Sequence, residues 1–400
     1  IFHRAQNPSI RPRQPEKPSH SGYWIRVPRR RGKISTGAIF SQDKCTVTRE
    51  TFRFTATARQ YRSSSEGSMR EPIRIETDGG LYLPGLELFL DLRKPRENGF
   101  ISHAHADHFA RHENILCSEA TARILKARYN VADERLNPRP FHEPLDVGPY
   151  SLQLLPAGHV YGSSMLHITR KSDGESLLYT GDFKVRASLT AEDPVFRRAD
   201  TLIMETTFGS PEWIFPGRNE ITGMILNFVN ECLEEEVTPT LLAYSLGKAQ
   251  EAHAILFNAG IPAVSHPTVA KMTTACREAG CPLSDALVFE GIVPPRHAFI
   301  CPPNALRSEQ FRAMPNLRTA MLSGWALKKN ATYRFGVDAA FPLSDHADFP
   351  GLLEAVGRVR PKRVVTVHGY TREFAAELRR RNHEASSAGG GDQMEFDLNR

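Results

Sequence analysis

Ser102-His103-Ala104-His105-Ala106-Asp107-His108 is the stretch that decides how this chain is read. Three imidazoles and a carboxylate fall within six residues, directly after a run ending in Phe100-Ile101 that places them at the C-terminal end of a strand. Alternate side chains of an extended segment share a side, so His103 and His105 face one way while Asp107 and His108 turn towards a second centre. Neutral imidazole and carboxylate are ligands for Zn, Mn or Fe. A solvated polar loop is the competing account. Against it, alanine fills every non-ligand position and permits crowding round a metal.

H-x-H-x-D-H alone does not close two metal sites, so it predicts further ligands at later strand ends. Pro156-Ala157-Gly158-His159 follows a strand-like run and supplies a histidine in a glycine-flanked turn. Thr180-Gly181-Asp182 ends the next apolar run and offers a carboxylate able to bridge two ions. Val364-Val365-Thr366-Val367-His368-Gly369 is a buried-type strand ending in histidine. Taken singly, each reads as a satisfied structural polar residue. In this order, after the first cluster, they read as ligands.

Composition narrows the class. The chain has 400 residues, 40% hydrophobic and 24% charged, with 28 Gly and 28 Pro, which excludes collagen-like, coiled-coil and wholly disordered classes and predicts more than one domain or a large insertion. No apolar run approaches the roughly 20 residues of a membrane span, so no membrane partner is expected. Six cysteines without a C-x-x-C pair fit neither a disulfide scaffold nor a zinc knuckle, and predict a reducing, cytoplasmic setting. The net charge of +6 is uneven: residues 1–68 hold 14 Lys/Arg against 4 Asp/Glu, leaving 37 against 41 in the other 332. The basic balance therefore belongs to the leader, and a nucleic-acid argument must come from local sites.

Residues 1–68 mix Pro, Ser, Arg and Gln with little periodicity. Three readings stay open: a disordered basic arm, an organelle transit peptide, or sequence upstream of a start at Met69. Beyond them strand-like runs are expected at 81–83, 86–90, 115–117, 151–155, 165–169, 177–180 and 201–204, with a helix capped by Ser118. From about 210 the texture changes to a helix over 220–236, then strand 240–244, loop 245–248, helix 249–259 closed by Gly260, and strand 261–265. That is a βαβ unit and implies a parallel sheet. A strand at 363–367 and a last helix at 371–381 follow, and the end from 386 to 400, with Gly389-Gly390-Gly391, reads as flexible.

The chain from about 69 to 385 resembles the metallo-β-lactamase fold, an αββα sandwich. The resemblance implies two zinc ions, with Mn2+ as the alternative metal. It assigns His103, His105, His159 and Asp182 to one ion and Asp107, His108, Asp182 and His368 to the other. Asp91, in Phe89-Leu90-Asp91, matches the early aspartate that supports the metal loop, since ligating imidazoles need partners for their other nitrogen. Paired cations activate water and stabilise an anionic phosphoryl transition state.

Fold alone does not fix substrate. His346 lies 164 positions after Asp182, and the gap is marked by Met204-Glu205-Thr206-Thr207-Phe208-Gly209 and Ser344-Asp345-His346-Ala347-Asp348. These are similar to the first two signature motifs of the β-CASP nucleases, and His368 matches the third. The implied architecture is a sandwich in two parts, 69–208 and 326–385, around a β-CASP α/β insertion at 209–325. By the same resemblance His346 protonates the leaving oxygen and Glu205 orients it and keeps it charged. Ser245-Leu246-Gly247-Lys248 lies between a strand and a helix N-terminus, which suits a phosphate, so Ser245, Gly247 and Lys248 are candidate substrate contacts. An ordinary strand–helix turn is the plainer account. Trp325 would stack a base or serve the core.

Leu81-Tyr82-Leu83-Pro84-Gly85, Ser245-Leu246-Gly247-Lys248-Ala249-Gln250-Glu251 and His368-Gly369-Tyr370 are similar to the bacterial ligase-associated DNA exonucleases. DNA is then the expected partner, with a DNA ligase or helicase beside it. The sequence departs from that branch at Ser210-Pro211-Glu212-Trp213, and a third-motif histidine is commoner in RNA-cleaving relatives, so RNA stays open. A non-catalytic scaffold would show eroded ligands, and a thioesterase or lactonase would not need the insertion or the Glu205 and His346 pair.

Overall fold

The computed structural model describes residues 70–388. The readings of the leader, together with Cys45 and the triple glycine, fall outside those residues. Among those described, two sheets share one core. The first has the order Leu81–Leu83, Leu88–Leu90, Asn98–Phe100, Asn114–Ser118 and Leu136–Arg139. The second has the order Glu384–Ser387, Arg363–Gly369, Thr201–Thr206, Ser176–Tyr179, Ser164–Arg170, Tyr150–Pro156 and Pro144–Val147.

The central strands are apolar on both faces, and the period of two sorts their side chains between layers. Phe100 and Leu116 point inward to meet Leu177, Tyr179 and Ile203 in a single buried cluster. Ile115 and Cys117 point outward to Ile124 and Leu125 of helix Glu119–Tyr129. On the far side Leu178, Leu202 and Met204 meet Leu352 and Val356 of helix Phe349–Val359, and Phe374 and Leu378 of helix Thr371–Arg380. The result is an αββα sandwich. Truncating one of these buried leucines to alanine costs about 2–5 kcal/mol.

Local signals set the helix starts. Ser118 Oγ accepts the amide of Thr121 at 3.0 Å, and Asp348 Oδ1 accepts that of Gly351 at 3.0 Å with Pro350 in the first turn.

A third sheet of six parallel strands forms the insertion, in the order Leu287–Val288, Ala263–Ser265, Ala298–Cys301, Thr238–Leu242, Leu317–Leu322 and Ala339–Phe341. Strand Thr238–Leu242, helix Lys248–Asn258 and strand Ala263–Ser265 form the expected parallel unit, though Ala298–Cys301 lies between the two strands. Two boundaries move. Strand Ala339–Phe341 pairs with Leu317–Leu322, so the chain leaves the inserted sheet after Phe341 rather than at 326. Strand Glu384–Ser387 pairs in parallel with Arg363–Gly369, carrying order into the segment expected to be flexible from 386.

No helix among the described residues is long and apolar enough to cross a membrane. Cys117, Cys232, Cys276, Cys281 and Cys301 are free and buried.

Candidate active site

Topology gathers the polar groups. Ser176–Tyr179, Thr201–Thr206 and Arg363–Gly369 are parallel neighbours in register, Leu177 opposite Thr201 and Thr201 opposite Arg363. Asp182, Glu205 and His368 therefore emerge at one edge, where open α/β sheets place their ligands. The first sheet delivers the loop after Asn98–Phe100 to the same edge. His368 is re-aimed by a bulge: pairing passes from Glu205–Val367 to Thr206–Gly369 and skips it, with its φ at +55°. Gly369 is needed there, because a Cβ would lie 2.5 Å from the Thr206 carbonyl oxygen.

Three imidazoles converge. His103 Nε2 lies 3.0 Å from His105 Nδ1, which lies 3.1 Å from His159 Nε2. Outer nitrogens settle the tautomers of two. His105 Nε2 donates to the Leu246 carbonyl at 3.1 Å and His159 Nδ1 to the Asp345 carbonyl at 2.8 Å. A carbonyl only accepts, so both rings carry their proton outside and turn lone pairs towards each other. His103 Nδ1 meets Ser102 Oγ at 2.9 Å. Burial holds His105 at about 4 and His159 at about 3, and pushes His103 well below its usual value, so all three stay neutral. Neutral nitrogens aimed at one point are a donor set that a divalent cation satisfies.

Asp182 joins this cluster to a second. Its Oδ2 lies 3.7 Å from His103 Nε2, 3.8 Å from His159 Nε2 and 3.1 Å from His108 Nε2. Gly181 at φ +54° admits it, since a Cβ there would meet Ser102 Cβ at 2.5 Å. Burial alone would raise the Asp182 carboxyl, but His108 overrides that and holds it well below the usual range. Asp107, at the mouth, has Oδ2 3.9 Å from His108 Nε2. The His368 ring lies 5.6 Å from that of His108. Asp91 underpins the group: its Oδ1 accepts the Ser102 amide at 2.7 Å, and its Oδ2 accepts the Tyr179 hydroxyl at 2.8 Å and lies 3.1 Å from His108 Nδ1.

Glu205, buried, and His346, half-buried, form a dyad beside these groups. His346 Nδ1 meets Glu205 Oε1 at 2.9 Å. Glu205 is fixed by the Phe183 amide at 3.2 Å and the Thr207 amide at 3.0 Å. Burial disfavours the charged imidazole, but the adjacent Glu205 carboxylate, with Asp182 and Asp345, more than offsets this and raises His346 to about 9. His346 therefore carries its proton at neutral pH. Its ring centroid is 4.6 Å from that of His159, and His159, Asp182 and His346 offer ligand atoms within 4.8 Å of one another.

The loop expected to cradle phosphate contributes Ser245 and Lys248 to the cavity lining and is also hydrogen-bonded within the protein. The Gly247 amide donates to Gln250 Oε1 at 2.8 Å, and Lys248 Nζ sits 2.5 Å from Asp345 Oδ1 with both side chains buried. These groups are already engaged, because the loop closes on its own helix and on the returning chain. Ser245 lines the cavity and lies 3.4 Å from Thr268 Oγ1. Trp325 is half-buried against Phe208 and Trp213, ring centroids 4.9 Å away in each case, and also lines the cavity. Trp213, from the divergent stretch, is buried in that aromatic cluster.

The cavity holds about 720 Å³. His105, Asp107, His108 and Asp182 of the histidine–carboxylate cluster line it. Arg128, Arg307, Arg334 and Tyr333 line the same cavity, Arg128 donating to the Ala104 carbonyl between His103 and His105 at 3.1 Å. Sequence reasoning missed these three arginines, Tyr179, and the carbonyls of Leu246 and Asp345. A main-chain carbonyl has no residue signature, and arginines scattered in sequence are seen to line one cavity only once the sheets are placed.

Residues 339–386 match the model of the Zn-dependent metallo-hydrolase RNA specificity domain. A probable DNA ligase of Opitutus terrae is 40% identical over 328 residues, covering 82% of this chain and 32% of that protein. The DNA cross-link repair 1A protein of Mus musculus is 27% identical over 42% of this chain and 18% of its own length. The chain thus spans about a third or less of either relative. A structure of a protein of unknown function from Enterococcus faecalis shares the fold, with a TM-score of 0.50 at 14% identity over 74% of this chain and 80% of that one.

Proposed function

We propose, from the premise that the chain belongs to the β-CASP nucleases of the metallo-β-lactamase fold, that it is a metal-dependent phosphodiesterase trimming DNA ends in repair. The observation that carries this reading is the Glu205–His346 dyad set beside a convergent histidine cluster, a protonated acid next to a cation site. His103, His105, His159 and Asp182 would hold one zinc ion, and Asp107, His108, Asp182 and His368 the other. Two such cations supply Lewis-acid stabilisation of the phosphoryl oxygens and an activated water.

The chain's own residues do the rest. Glu205 accepts from Nδ1 of His346 and so fixes the ring, leaving Nε2 to donate a proton to the leaving oxygen. Asp91 holds His108 and the loop at Ser102. Arg128, Arg307 and Arg334 attract the strand through its phosphates, and Trp325 and Tyr333 offer faces on which bases stack.

DNA is favoured by the relatives named for DNA ligation and cross-link repair, and a ligase is the corresponding partner. An RNase of the same architecture is the second reading, favoured by the RNA specificity domain matched at 339–386. The test is end-labelled single-stranded DNA and RNA of one sequence, incubated with zinc-loaded protein. A ladder of successively shortened DNA with RNA spared supports the repair exonuclease. Preferential loss of RNA overturns it in favour of the second reading.

A further inference from the structure

Two imidazoles of the metal cluster are aimed by main-chain carbonyls from distant parts of the chain. His105 donates to Leu246, in the loop that opens helix Lys248–Asn258 of the insertion. His159 donates to Asp345, where the chain comes back from the insertion to the sandwich. These two carbonyls are tied together. Lys248, two residues after Leu246, places Nζ 2.5 Å from Oδ1 of Asp345, and their side chains are 9% and 2% exposed. Gly247 lies between at φ +92°, where a Cβ would stand 2.7 Å from Val160 Cγ1 and 3.0 Å from Asp345 Oδ2. Gln250 seals the loop, accepting from the Gly247 amide at 2.8 Å and donating to the Ser245 carbonyl at 3.0 Å.

We propose that the Lys248–Asp345 ion pair is a clamp that makes the inserted domain part of the metal centre, positioning His105 and His159 through the carbonyls of Leu246 and Asp345. The clamp rests on reading these histidines as metal ligands and is independent of which phosphodiester is cut. A buried ion pair is by itself weak evidence for anything beyond local packing. What distinguishes this pair is that each partner lies within two residues of a carbonyl fixing the tautomer and direction of a ligand. Loss of such outer support typically lowers metal affinity by about 10–100-fold.

The test measures Zn2+ affinity of the full chain by competition with a chromophoric chelator, with no substrate present. Lys248→Met should weaken binding by about tenfold or more. It should also alter the visible absorption of the cobalt-loaded protein. Lys184→Met is the matched control: Lys184 Nζ lies 3.4 Å from the buried Glu251 of the same helix, and that pair aims no imidazole. It should leave affinity and spectrum near those of the parent.

If Lys248→Met does not fold, the double variant Lys248→Met with Asp345→Asn, which leaves neither charge alone and keeps both carbonyls, decides the matter by the same weakening. Parental affinity in the folded Lys248→Met or double variant, or equal loss in Lys184→Met, overturns the clamp. None of these outcomes bears on whether the parent cleaves DNA, so failure of the clamp and failure of the nuclease reading are separable.

Discussion

Glu205 and His346, 141 positions apart, meet at 2.9 Å between Oε1 and Nδ1. The first ends a sandwich strand and the second lies where the chain returns from the insertion, so the whole inserted domain must close before the acid exists.

The dyad sets a pH dependence. In the proposed role His346 acts in its protonated form, and its pKa is raised to about 9, chiefly by Glu205 acting against burial. Cleavage should therefore fall as pH rises through that region. Glu205→Gln removes the charge that raises the pKa, so the alkaline limb of the rate profile should move to lower pH. An alkaline limb unmoved by this substitution would contradict the role given to Glu205.

Asp182 touches both clusters through one oxygen, 3.1 Å from His108 and 3.7 Å from His103. Asp182→Ala should lower bound metal from two ions towards zero, measured by elemental analysis after dialysis, with cleavage reduced by orders of magnitude. Full activity in that variant would be incompatible with a shared carboxylate.

Arg334 is exposed and lines the cavity that also holds His105, His108 and Asp182. Arg334→Ala should weaken single-stranded DNA binding at every sequence alike, and lower the slope of log affinity against log salt by about 1. An unchanged slope in a titration series would place the strand elsewhere.

Much of this was legible in advance where periodicity or residue chemistry carried it. Leu202-Ile203-Met204 reads as a strand because both its faces are buried, and Ser118 marks a helix start because its hydroxyl caps one. The histidine and aspartate motifs lie at strand ends because a parallel sheet delivers its C-terminal edges together. Illegible were the elements too short to show a period, such as Ala339–Phe341, which moved the end of the insertion. For Lys248 only half was legible: a lysine at a helix start suits a phosphate on chemistry alone, whereas only the fold brings Asp345 within 2.5 Å of it. Trp213 shows the converse, a departure from the related sequences that the fold absorbs as core.

The central claim is that His346 donates a proton and does not hold metal, although His159, Asp182 and His346 could together bind an ion. The most direct measurement is cleavage rate and bound zinc in the same preparation of His346→Ala, against the parent on end-labelled single-stranded DNA. The account predicts a rate lower by about 10²–10⁴-fold with the zinc content of the parent. Zinc lost in proportion to activity would make His346 a ligand, and cleavage at the parental rate would remove it from the reaction.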